Sequence, residues 1–184
     1  MNIKKYIKEC YELAKEKGFY PEDSKIEDHL MGIVSEIGEA YEAHRGGNIA
    51  SEKGLAFSID QILENFNLPI HIDYYIKNFK DCFEQELADV FIRLFNLCGW
   101  LGYEDLNCDW GRVDNLTNTS RELLNMIGKT YGLLDEHDLK KVYIEWLLWD
   151  MVGFCNASNI PIEKHIQAKH EFNKTREHLH GKQY

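Results

Sequence analysis

Apolar residues recur at intervals of three and four along most of the chain, with polar residues between them, which is the period of amphipathic α-helices. The clearest stripe keeps one face of a single helix apolar and consists of Leu30, Ile33, Val34, Ile37, Ala40 and Tyr41. Only three prolines interrupt the chain. The pattern predicts an all-α fold.

Glycine, proline and capping residues divide the pattern into six long helices. The first stops at Gly18, the second begins after the cap Ser24 and ends before Gly46, and the last begins at Pro161. Residues 48–80 are mixed, with short helical pieces, and are interpreted as an insert. The six predicted spans are 3–17, 25–45, 80–101, 113–131, 138–157 and 161–179.

The second half of the chain weakly repeats the first. The aligned pairs are Leu30 with Leu116, Glu36 with Glu122, Glu39 with Asn125, Glu86 with Leu147, and Asp89 with Asp150. We interpret this as one domain, 1–184, with an acid-rich helix pair at 27–105, a degenerate second copy at 113–160, and a basic C-terminal helix and tail at 161–184. Chance similarity between amphipathic helices is the alternative.

The length of 184 residues and a hydrophobic fraction of 44% suit a single globular domain with a sizeable core. No stretch has the apolar length of a membrane helix or the form of a signal peptide, so we expect a cytoplasmic protein without a membrane partner. Five cysteines without a CxxC pair fit neither a disulfide framework nor a structural zinc site, and are expected to be buried thiols.

Acidic residues outnumber basic ones, 31 to 21, and the formal charge of −10 repels a nucleic-acid polymer. A polyanionic substrate would therefore need a metal ion or a local cationic patch. Residues 164–184 form such a patch, with two acidic residues and five basic ones: Lys164, Lys169, Lys174, Arg176 and Lys182. A solvated basic tail is the alternative interpretation.

Two acidic pairs lie on consecutive helices. Glu36 and Glu39 are three residues apart and point the same way at the edge of an apolar stripe. Four polar residues of helix 80–101 lie in one narrow band: Glu86, Asp89, Arg93 and Asn96. Buried carboxylates are costly unless compensated, and four carboxylates form an all-oxygen site that favours Mg²⁺ or Mn²⁺.

Two alternatives to a magnesium site stay open. The acids could form a solvated face or pair with Lys and Arg across the bundle. A di-iron bundle would require Glu-x-x-His on two helices, and only Glu177 with His180 has that spacing.

The motifs EIGE at Glu36–Glu39 and ELAD at Glu86–Asp89, with Asn96 seven residues later, resemble the MazG-like all-α nucleoside triphosphate pyrophosphohydrolases, which include the dimeric dUTPases. The signature of that family is EExxE followed by ExxD on the next helix. The closing segment 169–182 is also similar to the basic C-terminal end of many small relatives. Ser35 stands where the family usually has its first Glu, which implies a reduced metal set or one more weakly held ion.

The resemblance implies a four-helix bundle that hydrolyses a nucleoside triphosphate to monophosphate and pyrophosphate. It implies Mg²⁺, with Mn²⁺ as a substitute, held by Glu36, Glu39, Glu86 and Asp89, and a general base that is Glu36 or Glu39. Asn96 would bind sugar or base, or merely fill a gap in the bundle. Positive charge and polar contacts for the triphosphate would come from Lys169, Asn173, Arg176 and Lys182.

The implied partners are a nucleotide and further copies of this chain, in a homodimer or higher homo-oligomer. Glu122 and Asp150 are expected to serve packing or hydrogen bonding, because each lacks the second acid of a metal pair. The four tryptophans are assigned to core packing, with stacking on a base as the alternative. The competing function is a non-catalytic helical interaction module with a structural metal site or none.

Overall fold

The computed structural model describes residues 1–50, 58–106, 118–134 and 140–181; residues 180 and 181 are described by their backbone alone. Within these ranges the chain forms eight α-helices and no strand, so the all-α prediction is confirmed. The helices are α1 (Ile3–Glu16), α2 (Ile26–Arg45), α3 (Ile59–Glu64), α4 (Pro69–Asn78), α5 (Phe83–Leu101), α6 (Thr119–Gly132), α7 (Lys140–Ala157) and α8 (Ile162–Thr175). A short 3-10 helix, His178–Gly181, follows α8.

The end of α1 is a Schellman turn, as the glycine there predicts. The N–H of Gly18 donates to the carbonyl of Lys15, and the N–H of Phe19 donates to the carbonyl of Ala14, both at 3.0 Å. Gly18 has a φ of +85°, a conformation that glycine adopts without steric cost.

The predicted cap of α2 is wrong, whereas its predicted end is confirmed. α2 begins at Ile26, and the residue before it, Lys25, makes no side-chain cap hydrogen bond. Ser24 therefore lies outside the helix. At the other end, Gly46 is the C-cap, and Gly47 after it has a positive φ of +68°.

The last helix is shorter than the predicted span 161–179, since α8 ends at Thr175. The carbonyls of Lys174 and Arg176 accept hydrogen bonds from the ammonium of Lys17, and Arg176 has an extended backbone. α8 therefore ends where the chain contacts the end of α1. The local periodicity of the sequence does not predict this contact.

α5 is the central helix, with α1, α2 and α8 packed around it. Its fully buried side chains are Leu87, Val90, Phe91, Leu94 and Leu97. Within the predicted insert, the short helices α3 and α4 form a second core with Phe172 of α8. α6 packs on α2, and α7 packs on α6. The proposed duplication stays a prediction, because Leu116 at the start of its second copy lies outside the described residues.

The assignment of the tryptophans to the core is wrong for Trp146 and Trp149, which are 51% and 42% exposed. They lie on α7, whose inward positions are filled by other apolar side chains: Ile144, Leu147, Leu148 and Met151. Trp100 is half-buried against the core, and Trp110 lies outside the described residues.

The cysteine prediction is confirmed for Cys10, Cys82, Cys98 and Cys155, which are buried free thiols; Cys108 lies outside the described residues. In the described ranges, every helix is too short or too polar to cross a bilayer.

Candidate functional site

A cleft of about 190 Å³ is lined by residues of α1, α2, α5 and α8 and of the segments that follow α1, α4 and α8. Eight of the nine predicted site residues line it: Glu36, Glu39, Glu86, Asp89, Asn96, Lys169, Asn173 and Arg176. The ninth, Lys182, lies outside the described residues. The fold thus brings acids from the first half of the chain against basic residues from its end.

The acids reach the cleft because of their helical spacing. Glu36 and Glu39 lie on one side of α2, and Glu86, Asp89, Arg93 and Asn96 follow at steps of three and four along α5. Apart from Glu84 and Gln85 in the first turn, most of the remaining surface of α5 is apolar and buried. The polar band on α5 therefore faces the cleft.

Three carboxyl groups form the centre of the site. Oxygen atoms of Glu36, Glu86 and Asp89 lie within 4.8 Å of one another. Burial raises the pKa of Glu86 to about 8, an effect that Lys169 opposes and Asp89 strengthens. Burial and the charge of Asp89 also raise the pKa of Glu36, against the influence of Arg93.

Two cations are already paired with this cluster. Nε of Arg93 donates to Oε1 of Glu36 at 3.0 Å, and Nη2 lies 3.0 Å from the same oxygen in an ion pair. Lys169 Nζ lies 2.5 Å from Asp89 Oδ2, and the side chain of Lys169 is only 5% exposed. Although burial by itself would lower the pKa of Lys169, the carboxylates of Asp89 and Glu86 raise it. The structure places Lys169, predicted to contact phosphate, on a carboxylate.

The other two acids have few partners. Within the described ranges, no hydrogen bond or ion pair reaches the carboxyl group of Glu86, which is 5% exposed. Glu39 lies outside the three-carboxyl cluster, on the exposed side of α2, where the hydroxyl of Ser35 donates to it at 3.4 Å. Ser35 therefore supports a carboxylate rather than supplying one.

The donor set suits a hard divalent cation. Glu36, Glu86 and Asp89 offer only carboxylate oxygens, which Mg²⁺ and Mn²⁺ prefer. The raised pKa values of Glu36 and Glu86 reflect negative charge that burial and the neighbouring carboxylates disfavour. A bound cation would offset that charge, so these three residues fit a metal ion.

Unpaired polar groups lie farther along the cleft. The side-chain oxygens of Asn96 and Asn173 are buried and have no hydrogen-bond partner within the described chain. Arg176 lines the cleft, its guanidinium lies 5.8 Å from the ring of Phe172, and no described carboxylate forms an ion pair with it. Burial lowers the pKa of Arg176, and Asp89 and Glu36 oppose that effect. This part of the cleft suits a polar, anionic ligand.

The sequence pattern missed several residues that line the site, among them Arg93 and Lys17. Arg93 was visible in the polar band of α5, but its pairing with Glu36 was not predicted. Lys17 at the end of α1 also lines the cleft, and no spacing or motif connects it with the acids.

The acids of the second half lie outside the cluster. Asp150 forms an ion pair with Lys129, and the amide of Asn125 donates to Glu122 at 3.5 Å. Among the described residues, the only group of three possible ligands is the one at Glu36, Glu86 and Asp89. Glu122 and Asp150 are thus engaged in pairwise contacts.

Comparison with protein families, with curated proteins and with solved structures finds no match to this chain. The functional assignment therefore depends on the chemistry of the cleft and on its motifs.

Proposed function

We propose that the chain is a Mg²⁺-dependent nucleotide pyrophosphohydrolase that converts a nucleoside or deoxynucleoside triphosphate to its monophosphate and pyrophosphate. The observation that carries the proposal is the cleft, where three clustered carboxyl groups lie beside Arg176 and the unpaired side-chain oxygens of two asparagines. A triphosphate with its magnesium ion brings both a cation for the carboxylates and an anion for the guanidinium. The acid motifs that resemble MazG-like enzymes support the same reaction.

The proposed architecture is a MazG-like helical bundle. The packing of α1, α2 and α8 around α5, with the acids on α2 and α5, is consistent with it. The pair α6 and α7 would then be an addition to the bundle, derived from a second copy of the acidic helix pair.

Glu36, Glu86 and Asp89 would hold the ion. When bound, Mg²⁺ supplies Lewis-acid chemistry that offsets phosphate charge and makes a water molecule a better nucleophile. Arg176 would donate to phosphate oxygens. We assign proton acceptance to Glu39, because Arg93 and Lys169 do not pair with it and its carboxyl group is exposed in the cleft. The water oxygen bonds to the α-phosphorus as the bond to the pyrophosphate oxygen breaks.

The competing function is a non-catalytic interaction module. It is favoured by the pairing of Arg93 with Glu36 and of Lys169 with Asp89, because two of the three carboxylates then already have counter-charges.

Pyrophosphate release from a panel of ribo- and deoxyribonucleoside triphosphates distinguishes the two functions. The proposal predicts release from at least one nucleotide in Mg²⁺ or Mn²⁺, and none with a chelator. Failure of every nucleotide in a folded protein that still binds Mn²⁺ would favour the interaction module.

We further propose that the chain forms a homodimer or higher homo-oligomer. Large apolar side chains are exposed on α6, on α7 and at the end of α6: Leu124, Tyr131, Leu134, Trp146 and Trp149. Association of copies through α6 and α7 would remove them from water.

A further inference from the structure

Lys17, at the end of α1, makes hydrogen bonds with residues 174–179, the end of α8 and the tail that follows it. The ammonium of Lys17 donates to the carbonyls of Lys174 and Arg176, at 3.0 and 2.7 Å. The backbone carbonyl of the same lysine accepts a hydrogen bond from the N–H of Leu179 at 2.7 Å. Residues 174–179 are therefore held at both ends by Lys17.

The attachment suits the chemistry of a helix end. The last carbonyls of a helix lack partners within it, and a cation near them also interacts favourably with the helix dipole. Lys17 supplies such a cation to α8 while it serves as the C-cap of α1.

The neighbouring glycine allows the tail to approach closely. A Cβ atom on Gly18 would lie 2.2 Å from Nε2 of His178, and the φ of +85° would strain any other residue there. Leu179 has a φ of +49°, unusual for a side chain of its kind. The close approach and the strained backbone both occur where the tail meets α1.

Arg176 lies between Lys174 and Leu179, and its side chain lines the cleft next to the acidic cluster. Arg176 is the C-cap of α8: its N–H donates to the carbonyl of Asn173 at 3.2 Å, but its extended backbone leaves the helix there. The carbonyl contact with Lys17, at 2.7 Å, holds the other side of the residue.

We propose that Lys17 is a positioning residue that holds Arg176 at the cleft for the phosphate groups of the substrate. The inference rests on the proposed function, since it names the device that places the proposed phosphate ligand. Lys17 acts here through the tail rather than by touching the substrate.

A double-mutant cycle on Lys17→Met and Arg176→Gln tests this role. The probes are binding of inorganic tripolyphosphate in Mg²⁺ and the KM for the best nucleotide of the panel. Each single variant should weaken binding and raise KM by about ten-fold, with kcat within a few-fold. The double variant should bind no more weakly than Arg176→Gln alone, because Lys17 then has nothing to position.

Two control variants accompany the cycle. Lys8→Met makes the same charge change at an exposed position of α1 and should have no effect. Lys17→Arg should restore most of the binding, because a guanidinium can also donate to two carbonyls.

Amide hydrogen exchange at Leu179 gives a readout that does not depend on a ligand. Exchange should accelerate in Lys17→Met and stay unchanged in Arg176→Gln and Lys8→Met. Additive losses in the cycle, or unchanged exchange in Lys17→Met, would overturn the positioning role alone. Tripolyphosphate binding that behaves as predicted, in a chain that hydrolyses no nucleotide, would instead contradict the proposed function.

Discussion

The three clustered carboxyl groups have different electrostatic surroundings. Arg93 pairs with Glu36, Lys169 pairs with Asp89, and no described residue forms a hydrogen bond or ion pair with Glu86. Glu86 also has the pKa that burial raises to about 8. Its carboxylate therefore gains most from a bound divalent cation.

Removing the charge of one proposed ion ligand should abolish most turnover. Glu86→Gln and Asp89→Asn keep the size of each side chain but remove an anionic oxygen ligand. We expect kcat to fall by about two orders of magnitude or more, with the fold retained. The measurement is pyrophosphate release at saturating Mg²⁺, with circular dichroism as the check on folding.

The matched control is the double variant Glu122→Gln with Asp150→Asn. In the suspected second copy Glu122 corresponds to Glu36 and Asp150 to Asp89, so turnover should stay within a few-fold even if stability falls by about 1 kcal/mol. Near-normal turnover in Glu86→Gln and Asp89→Asn would show that the active site is not at these residues. Complete loss in a folded control would mean that the second half has its own site.

Protonation of Glu86 makes stability depend on pH. Its pKa is about 8 in the folded chain and 4.5 as the ordinary value, so between these values the folded state binds more protons than the unfolded state. The free energy of unfolding without metal should therefore decrease as pH rises from about 4.5 to about 8. Glu86→Gln should reduce this slope in urea denaturation with a chelator present.

Other groups with shifted pKa values, among them Glu36 and His165, contribute in both proteins. Glu36, whose pKa is also raised, gives a slope of the same sign. His165, whose pKa burial lowers to about 4, gives the opposite slope between about pH 4 and 6.5. The difference in the pH slope of unfolding free energy between the original chain and Glu86→Gln isolates the contribution of Glu86. Identical slopes in the two proteins would contradict the raised pKa of Glu86.

At the scale of helices, the site depends on a row of polar contacts between α5 and α8, called the polar seam below. Gln85 Nε2 lies 2.9 Å from His165 Nδ1, and one turn later Asp89 pairs with Lys169. The equal step of four residues in both helices indicates that α5 and α8 run side by side in the same direction. Beyond these two pairs, the seam contains Asn96 and Asn173 with unpaired oxygens, and there it becomes the cleft.

Lys169→Met should have opposite effects on stability and on ion binding. Without metal, Asp89 would lose its buried counter-charge, and the free energy of unfolding should fall by about 3 kcal/mol or more. The affinity for Mn²⁺ should increase, because the ammonium no longer competes for the same carboxylate. Chemical denaturation with a chelator and calorimetric titration with Mn²⁺ measure the two effects.

The control is Lys164→Met, five residues earlier on the same helix. Lys164 pairs with Asp60 at an exposed position, so its loss should change stability by about 1 kcal/mol or less and leave Mn²⁺ binding unaltered. A higher KM in Lys169→Met without a change in Mn²⁺ affinity would instead support the original prediction that Lys169 contacts phosphate.

For the assembled protein, the exposed apolar side chains of α6 and α7 predict self-association. Tyr131→Glu with Trp146→Glu should lower the molar mass measured by light scattering to that of one chain. Ile76→Glu, at an exposed position of α4, should leave the mass unchanged. A single-chain mass for the unaltered protein would contradict the proposed oligomer.

Local pattern was enough for the all-α fold, for the end of α1 at Gly18, and for the polar band of α5. Helical period and glycine conformation act over a few residues, so they are encoded where they occur. The same period placed Glu86 and Asp89 on one side of a helix and indicated that they would need compensation.

The partners of those acids depended on tertiary structure. Lys169 could equally have been a solvated lysine, and only the packing of α8 beside α5 brings it to Asp89. The contact of Lys17 with the tail joins the two ends of the chain, and the exposure of Trp146 follows from which side of α7 meets the core. Such pairings depend on how helices distant in sequence are positioned against one another, and no local spacing of residues encodes that.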